Sequence, residues 1–166
     1  MHREFSSGGV VFKKLQTSKK TKLKTLWLVT KSAKDPSGKF KQVWRLPKGW
    51  IDNEKDDIPG PMASGKIKAD EKSLQSAALR EVLEEGGIKA KIIKKITTTK
   101  YFFTHPTRGS ILKFVTFYLM EWVKDLPEGH DDETEEVAWL EYKDAYKTLS
   151  LSGEKKILKQ AKELLV

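Results

Sequence analysis

No cysteine occurs in the 166 residues, which excludes thiol nucleophiles and cysteine-ligated zinc and fits a reducing compartment. No stretch approaches the ~18 consecutive apolar residues of a membrane-crossing helix. The first five residues are polar and mixed in charge, without the apolar run and cleavage site of a signal peptide. A soluble, cytoplasmic protein that does not engage a membrane is the expectation. Histidine is scarce: His2, His105 and His130 lie too far apart for a zinc site or a triad and receive no role. Acidic residues are the scarcer charge, 23 against 32 Lys and Arg, leaving a net charge of +9. Such a field draws polyanions, although lysines spread along a solvated surface would give the same balance.

What is present reads as one mixed α/β domain over residues 1–166, with no repeat and no linker. Strands are expected at 4–12, entered through a flexible Ser-Gly segment, and at 26–30, 42–46, 88–104, 110–122 and 137–140. A polar, basic hairpin loop is expected at 16–24, and a turn at 33–39 on Asp35-Pro36-Ser37-Gly38. Residues 49–70 are poor in apolar side chains and rich in Pro and Gly, a long loop of the kind that is often functional or mobile. A helix is predicted over 73–85, with Ser73 as N-cap, an apolar stripe of Leu74, Ala77, Ala78 and Val82, and Gly86-Gly87 as the stop. Two more helices follow at 142–149 and 153–165, the second capped by Ser152.

The informative segment is Arg80-Glu81-Val82-Leu83-Glu84-Glu85-Gly86-Gly87-Ile88. At ~3.6 residues per turn, Glu84 and Glu85 flank the azimuth of Glu81 one turn on. Three carboxylates then share one arc, held at the surface by Val82 and Leu83 packing on the sheet. They repel one another and crowd a helix C-terminus, where the macrodipole disfavours negative charge. A hard divalent cation would relieve both penalties, and magnesium commonly takes one or two carboxylates, waters and phosphates. A solvated face with Arg80 paired to Glu84 is the bland alternative.

From Arg80 onward this segment resembles the Nudix box, G-x5-E-x7-R-E-U-x-E-E-x-G-U, where U is a bulky aliphatic residue. Leu46-Pro47-Lys48-Gly49-Trp50 resembles the box entrance, and Ser7-Gly8-Gly9-Val10-Val11-Phe12 the first strand of many members. The resemblance implies a Nudix-type α/β/α sandwich with a mixed sheet. Two features depart from the family pattern. Twenty-two residues rather than five follow Gly49, an insertion at about 52–70, and Lys72 stands at the first box glutamate. Glu71, beside Lys72, is the carboxylate left to take that role.

By resemblance the chain is a hydrolase that splits a pyrophosphate linkage by metal-assisted attack of water. The metal ligands would be Glu81, Glu84, Glu85 and the Gly49 carbonyl, the ion Mg2+ with Mn2+ as the alternative. Arg80 would orient helix and loop through an ion pair. The general base is Glu84, Glu85 or a carboxylate of the acidic run at 131–136; Glu133 is favoured there because its spacing from Trp139-Leu140 is similar to that in diadenosine polyphosphate hydrolases. Lys48 sits in a Pro-Lys-Gly entrance that resembles that of both diadenosine polyphosphate and diphosphoinositol polyphosphate hydrolases; Lys113 matches a phosphate-contacting lysine of the diadenosine group and Tyr101 its adenine-stacking aromatic, and the two lysines would hold the remote phosphates. The implied partner is a small phosphorylated compound, a diadenosine polyphosphate or related nucleoside polyphosphate. A diphosphoinositol polyphosphate, a nucleoside triphosphate and an RNA end are the alternatives; other nucleic acid is not implied, and no feature specifies an oligomeric state. A non-catalytic binding or regulatory Nudix-fold protein is the rival class, suggested by Lys72 and the basic charge.

Overall fold

The structure, a computed structural model, describes residues 2–18, 22–55 and 57–165. Its centre is a pair of long parallel strands, β1 (His2–Gln16) and β8 (Gly109–Asp125), in register from His2 opposite Ile111 to Phe12 opposite Glu121. Both are buried on two faces along their middles, so neither shows a clean alternation of apolar and polar residues there. β7 (Ile88–His105) pairs antiparallel with β8 at one edge. On the other side β2 (Leu23–Ser32) pairs with the C-terminal half of β1, and β3 (Trp44–Arg45) and β9 (Thr134–Leu140) pair with β2. β4 (Lys48–Trp50) pairs with the N-terminal half of β1 through Ser6, Ser7 and Gly8, completing a seven-stranded mixed sheet.

Strand β1 therefore exchanges one neighbour for another between Gly8 and Phe12. The Ser-Gly segment expected to be a flexible entrance is instead the buried middle of this strand, with Ser6 and Ser7 nearly inaccessible. Its small side chains answer a packing demand. A Cβ on Gly9 would lie 2.6 Å from Val82 Cγ2 and 2.8 Å from Met120 Sδ, so only glycine lets the main helix lie this close.

That helix, α1 (Glu71–Gly86), covers one face over Val11, Leu28, Ala78, Val82, Tyr118 and Met120. The helices α2 (Tyr142–Thr148) and α3 (Ser152–Leu165) cover the other, over Val10, Trp27, Phe117, Leu149 and Leu158. The expected α/β/α sandwich with a mixed sheet is the observed architecture. The N-cap of α1 is Asp70, not Ser73: the Asp70 carboxylate accepts the Ser73 N–H at 2.8 Å, so the helix begins two residues before the expected start. Ser152 likewise enters α3 as its first residue rather than capping it.

Residues 49–70 are not an irregular loop throughout. Gly49 lies within β4, and β5 (Asn53–Lys55) and β6 (Ile58–Pro59) form a small hairpin. Asp52 organises the segment: its carboxylate accepts the N–H groups of Ala63 at 2.7 Å and Met62 at 3.1 Å, while its carbonyl accepts from Gly60. Phe5 then binds both ends, donating to the Ala63 carbonyl at 2.8 Å and accepting from Ile51 at 3.2 Å. The insertion is thus pinned along the start of β1. Replacing the observed cap, Asp70→Ala, is expected to cost about 1 kcal/mol and lower the thermal midpoint by ~2–4 °C. An unchanged midpoint would return the capping role to Ser73.

Candidate active site

The last two turns of α1 run under β4, and the same helical period that buries Ala77, Ala78 and Val82 carries Glu81 and Glu85 onto the buried face. Glu81 is 9% exposed and Glu85 1%, whereas Glu84 is exposed. The expected surface arc of three carboxylates is thus divided between interior and solvent. Leu83, expected on the sheet, points outward at 41% exposure, and Val82 alone anchors this turn. Gly49 packs directly on Glu81, where a Cβ would come within 2.3 Å of the carboxyl carbon; this approach admits only glycine.

Arg80 forms no i, i+4 pair with Glu84. Its guanidinium donates to the Trp50 carbonyl at 2.7 Å and the Ile51 carbonyl at 3.3 Å, and lies 3.3 Å from Glu81 Oε1. It therefore clamps the exit of β4 to the helix while offsetting part of the Glu81 charge. Glu85 accepts the Lys48 N–H at 3.2 Å, with Arg45 Nη2 3.5 Å away. These partners do not fully compensate burial. Loss of hydration pushes the Glu81 carboxyl up to about 7, Arg80 opposing and Glu84 adding to the rise. Loss of hydration likewise pushes Glu85 up to about 8, Arg45 opposing and Glu81 adding.

The loop between β8 and β9 closes the other wall. Asp131 donates its N–H to the Glu84 carbonyl at 2.7 Å, and Glu133 donates its N–H to the Asp131 carboxylate at 3.1 Å. This brings Glu133 to the helix end, its carboxyl raised by burial and by the Asp131 charge. Gly49, Arg80, Glu81, Glu84, Lys113 and Glu133 all face one cavity of about 430 Å³. Glu85 lies behind its wall.

Lys113 on β8 has no carboxylate within ion-pairing distance among the described residues. Burial, and then the Lys48 charge, push its ammonium down to about 8. Lys48 does not extend freely into the site: its ammonium is ion-paired with Glu154 of α3. Tyr101, opposite Lys113 on β7, packs at the border of the core with its ring 6.2 Å from Phe103. Tyr101 and Lys48 line an adjoining groove of about 840 Å³, which shares Lys113 and Glu133 with the acidic cavity.

Glu71 does not take the place left by Lys72. Its carboxylate accepts from the Tyr118 hydroxyl at 2.6 Å and pairs with Lys95 at 3.4 Å, at the opposite end of α1 from Glu84. The residues missed by sequence reasoning are Arg45, Glu154 and the Glu4–Trp50–Arg108 group. In that group Glu4 accepts the Trp50 indole N–H at 2.9 Å and is ion-paired with Arg108. Position 4 carried a faint signal, a charged residue entering a strand buried on both faces.

As the side chains stand, no three Asp, Glu, His or Cys groups among the described residues enclose a point where an ion could sit. Glu81 leans towards Arg80 and Glu85 towards the Lys48 N–H. The donor chemistry nevertheless fits a hard divalent cation: under-compensated carboxylates, one exposed and free to turn, gathered about a strand carrying a backbone carbonyl.

Three comparisons with known proteins bear on this arrangement. A family model, the NUDIX domain, matches residues 15–161. The Mycobacterium tuberculosis relative named MutT4 is 27% identical over 123 residues, 74% of this chain, and the chain spans 42% of that protein's length. The Caenorhabditis elegans Ap4A hydrolase, solved as a binary complex, superposes with a TM-score of 0.64 at 21% identity, over 98% of this chain and 97% of that one. The NUDIX domain of Shewanella oneidensis NrtR, solved with ADP ribose, also reaches 0.64, at 17% identity over 100% and 90% of the two chains. At such identities these superpositions speak for the fold alone.

The raised carboxyls set a sign for stability against pH. An unfolded glutamate titrates at about 4.3, so the folded, metal-free protein holds extra protons above that value and loses stability as they leave. The thermal midpoint in chelator is expected to fall between about pH 5.5 and about pH 7.5, below the range where Lys113 contributes an opposite slope. Added magnesium should reduce that fall. A midpoint that rises over the same interval would contradict the burial argument.

Proposed function

This chain belongs to the Nudix family, and on that premise we propose that it is a magnesium-dependent pyrophosphohydrolase acting on a nucleoside polyphosphate, with a diadenosine polyphosphate as the favoured substrate. One observation carries the reading: buried Glu81, exposed Glu84 and loop-borne Glu133 face one cavity together with Lys113, which has no ion pair among the described residues. Glu81, Glu84, Glu85 and the Gly49 carbonyl would hold the ion, with Mn2+ as the alternative to Mg2+. A divalent ion bound there supplies charge neutralisation at phosphate oxygens and a more acidic water.

Each remaining part of the site has a task that follows from its surroundings. Glu133, kept basic enough to accept a proton by burial and by Asp131, takes the proton of the attacking water; exposed Glu84 is the alternative base. The water oxygen bonds to phosphorus, the bond to the bridging oxygen breaks, and two phosphorylated products leave. Lys113 binds non-bridging oxygens of the phosphate chain, since its ammonium has no competing carboxylate. Arg80 touches only the protein here, holding the Trp50 and Ile51 carbonyls so that Gly49 stays over Glu81.

The adjoining groove of about 840 Å³, with Phe40, Tyr101 and Phe103 in its walls, shares Lys113 and Glu133 with the acidic cavity and offers aromatic surface for a nucleoside beyond the phosphates. A diphosphoinositol polyphosphate is the alternative substrate, and with Lys48 paired to Glu154 it is Lys113 that meets the phosphates of either. A non-catalytic binding role is disfavoured by the retained carboxylates, whose mutual repulsion has no evident use without a cation.

Product analysis across diadenosine polyphosphates, nucleoside triphosphates, nucleotide sugars and inositol pyrophosphates, each with magnesium, tests the assignment; no release from any of them would reject it. Glu84→Gln is expected to lower kcat by at least ~100-fold with the fold retained, read by steady-state kinetics and circular dichroism. Unchanged turnover would remove Glu84 from the chemistry. Lys113→Ala is expected to raise KM ~10-fold or more, the loss of one charge-assisted contact. Equal kinetics would return Lys113 to a packing role.

A further inference from the structure

The segment 46–49 carries the Lys48 N–H that meets Glu85 and the Gly49 backbone that lies on Glu81, yet Pro47 within it has no N–H to continue a ladder. β3 stops at Arg45, and the next strand begins only at Lys48. The buried Leu46 N–H between them has no strand partner. It donates instead to Oε1 of Glu154 at 2.9 Å. Oε2 of the same carboxylate is ion-paired with the Lys48 ammonium. Glu154 lies in the first turn of α3, 5% exposed, on the opposite face of the sheet from α1.

We infer that Glu154 is a positioning residue, which through the Leu46 N–H and the Lys48 ammonium fixes the 46–49 segment in the register that directs the Lys48 N–H to Glu85 and lays Gly49 on Glu81. One carboxylate holds the segment at a backbone donor and at a side-chain cation two residues apart. The intervening carbonyl, that of Pro47, accepts from Gly9 at 3.1 Å. Removing Glu154 leaves a buried N–H without an acceptor and a nearly buried ammonium without a counter-charge, and each can be relieved only if the segment shifts. A shift of ~1 Å there displaces the Gly49 carbonyl and the Lys48 N–H together, enough to cost about 100-fold in rate. The same carboxylate keeps the Lys48 ammonium from competing for the phosphates that meet Lys113.

The inference rests on the pyrophosphohydrolase reading for its kinetic readout only. The test compares wild type, Glu154→Ala and Glu154→Gln by steady-state kinetics and by amide resonances of the 15N-labelled protein, without metal and with Mn2+ as a paramagnetic probe. The alanine variant is expected to lose about 10- to 100-fold in kcat with KM within about threefold, while the Leu46, Lys48 and Gly49 amides shift. The glutamine variant, which keeps an acceptor for Leu46, should return those amides towards wild-type positions and kcat to within about threefold. Should the alanine variant not fold, the glutamine variant decides. In the alanine variant, loss of kcat with displaced Lys48 and Gly49 amides supports the inference, and wild-type kcat with undisplaced amides overturns it; in the glutamine variant, kcat and those amides retained together or lost together support it. Retained kcat with displaced Lys48 and Gly49 amides, or lost kcat with undisplaced ones, overturns it. If wild type hydrolyses no substrate, the functional reading fails by itself, and Mn2+ broadening of the Gly49 and Glu85 amides still tests the positioning: weaker broadening in the alanine variant supports it, and equal broadening overturns it.

Discussion

Two glutamates occupy helix positions that the packing of a sandwich would ordinarily give to leucine or alanine. The positions of Glu81 and Glu85 follow from the period that buries Ala77, Ala78 and Val82, so their burial is a consequence of seating α1 on the sheet. Much of the surrounding sequence accommodates that burial. Gly9 allows the helix to approach and Gly49 makes room for the Glu81 carboxyl. Arg80 and Arg45 supply partial counter-charge, and the Lys48 N–H supplies a hydrogen bond. The remaining deficit leaves the two carboxyls poised near neutrality, where a cation and a proton compete for the same oxygens.

The excess of positive charge has two different expressions. Lys91–Glu121, Lys95–Glu71 and Lys24–Glu141 are exposed pairs and add little to stability. Lys113 differs, since it is half-buried and lines the acidic cavity with no ion pair among the described residues. Charge counted along the chain does not separate these cases; the neighbours of each lysine do. Lys48 makes the point from the other side, because a residue that seemed free in sequence is satisfied by a glutamate 106 positions later.

Much of the fold was legible from pattern. The stripe on α1 and the β-favouring runs at 88–104 and 110–122 led to the observed elements, because those signals are local and repeated. Errors fell where one tertiary contact outweighed local propensity. Asp70 caps α1 in place of Ser73, and Asp52 orders a segment whose composition suggested only a loop. At the site, family spacing pointed to Gly49, Arg80, Glu81, Glu84, Lys113 and Glu133, which line one cavity, and to Glu85, which lies behind its wall. The division of those glutamates between interior and surface was not, since it depends on the rotation of α1 over the sheet. Arg45 and Glu154 were invisible for the same reason, and Glu4 nearly so: each is defined by a partner distant in sequence.

If the two buried carboxyls exist to take a divalent ion, binding must expel the protons they hold. Titration calorimetry of magnesium into the metal-free protein near pH 6.5, in buffers of different ionisation enthalpy, measures that release directly. The account predicts saturable binding with about one to two protons expelled per ion, falling towards zero as the pH is raised past about 9. Binding without proton release near pH 6.5, or no binding at millimolar magnesium, would contradict it.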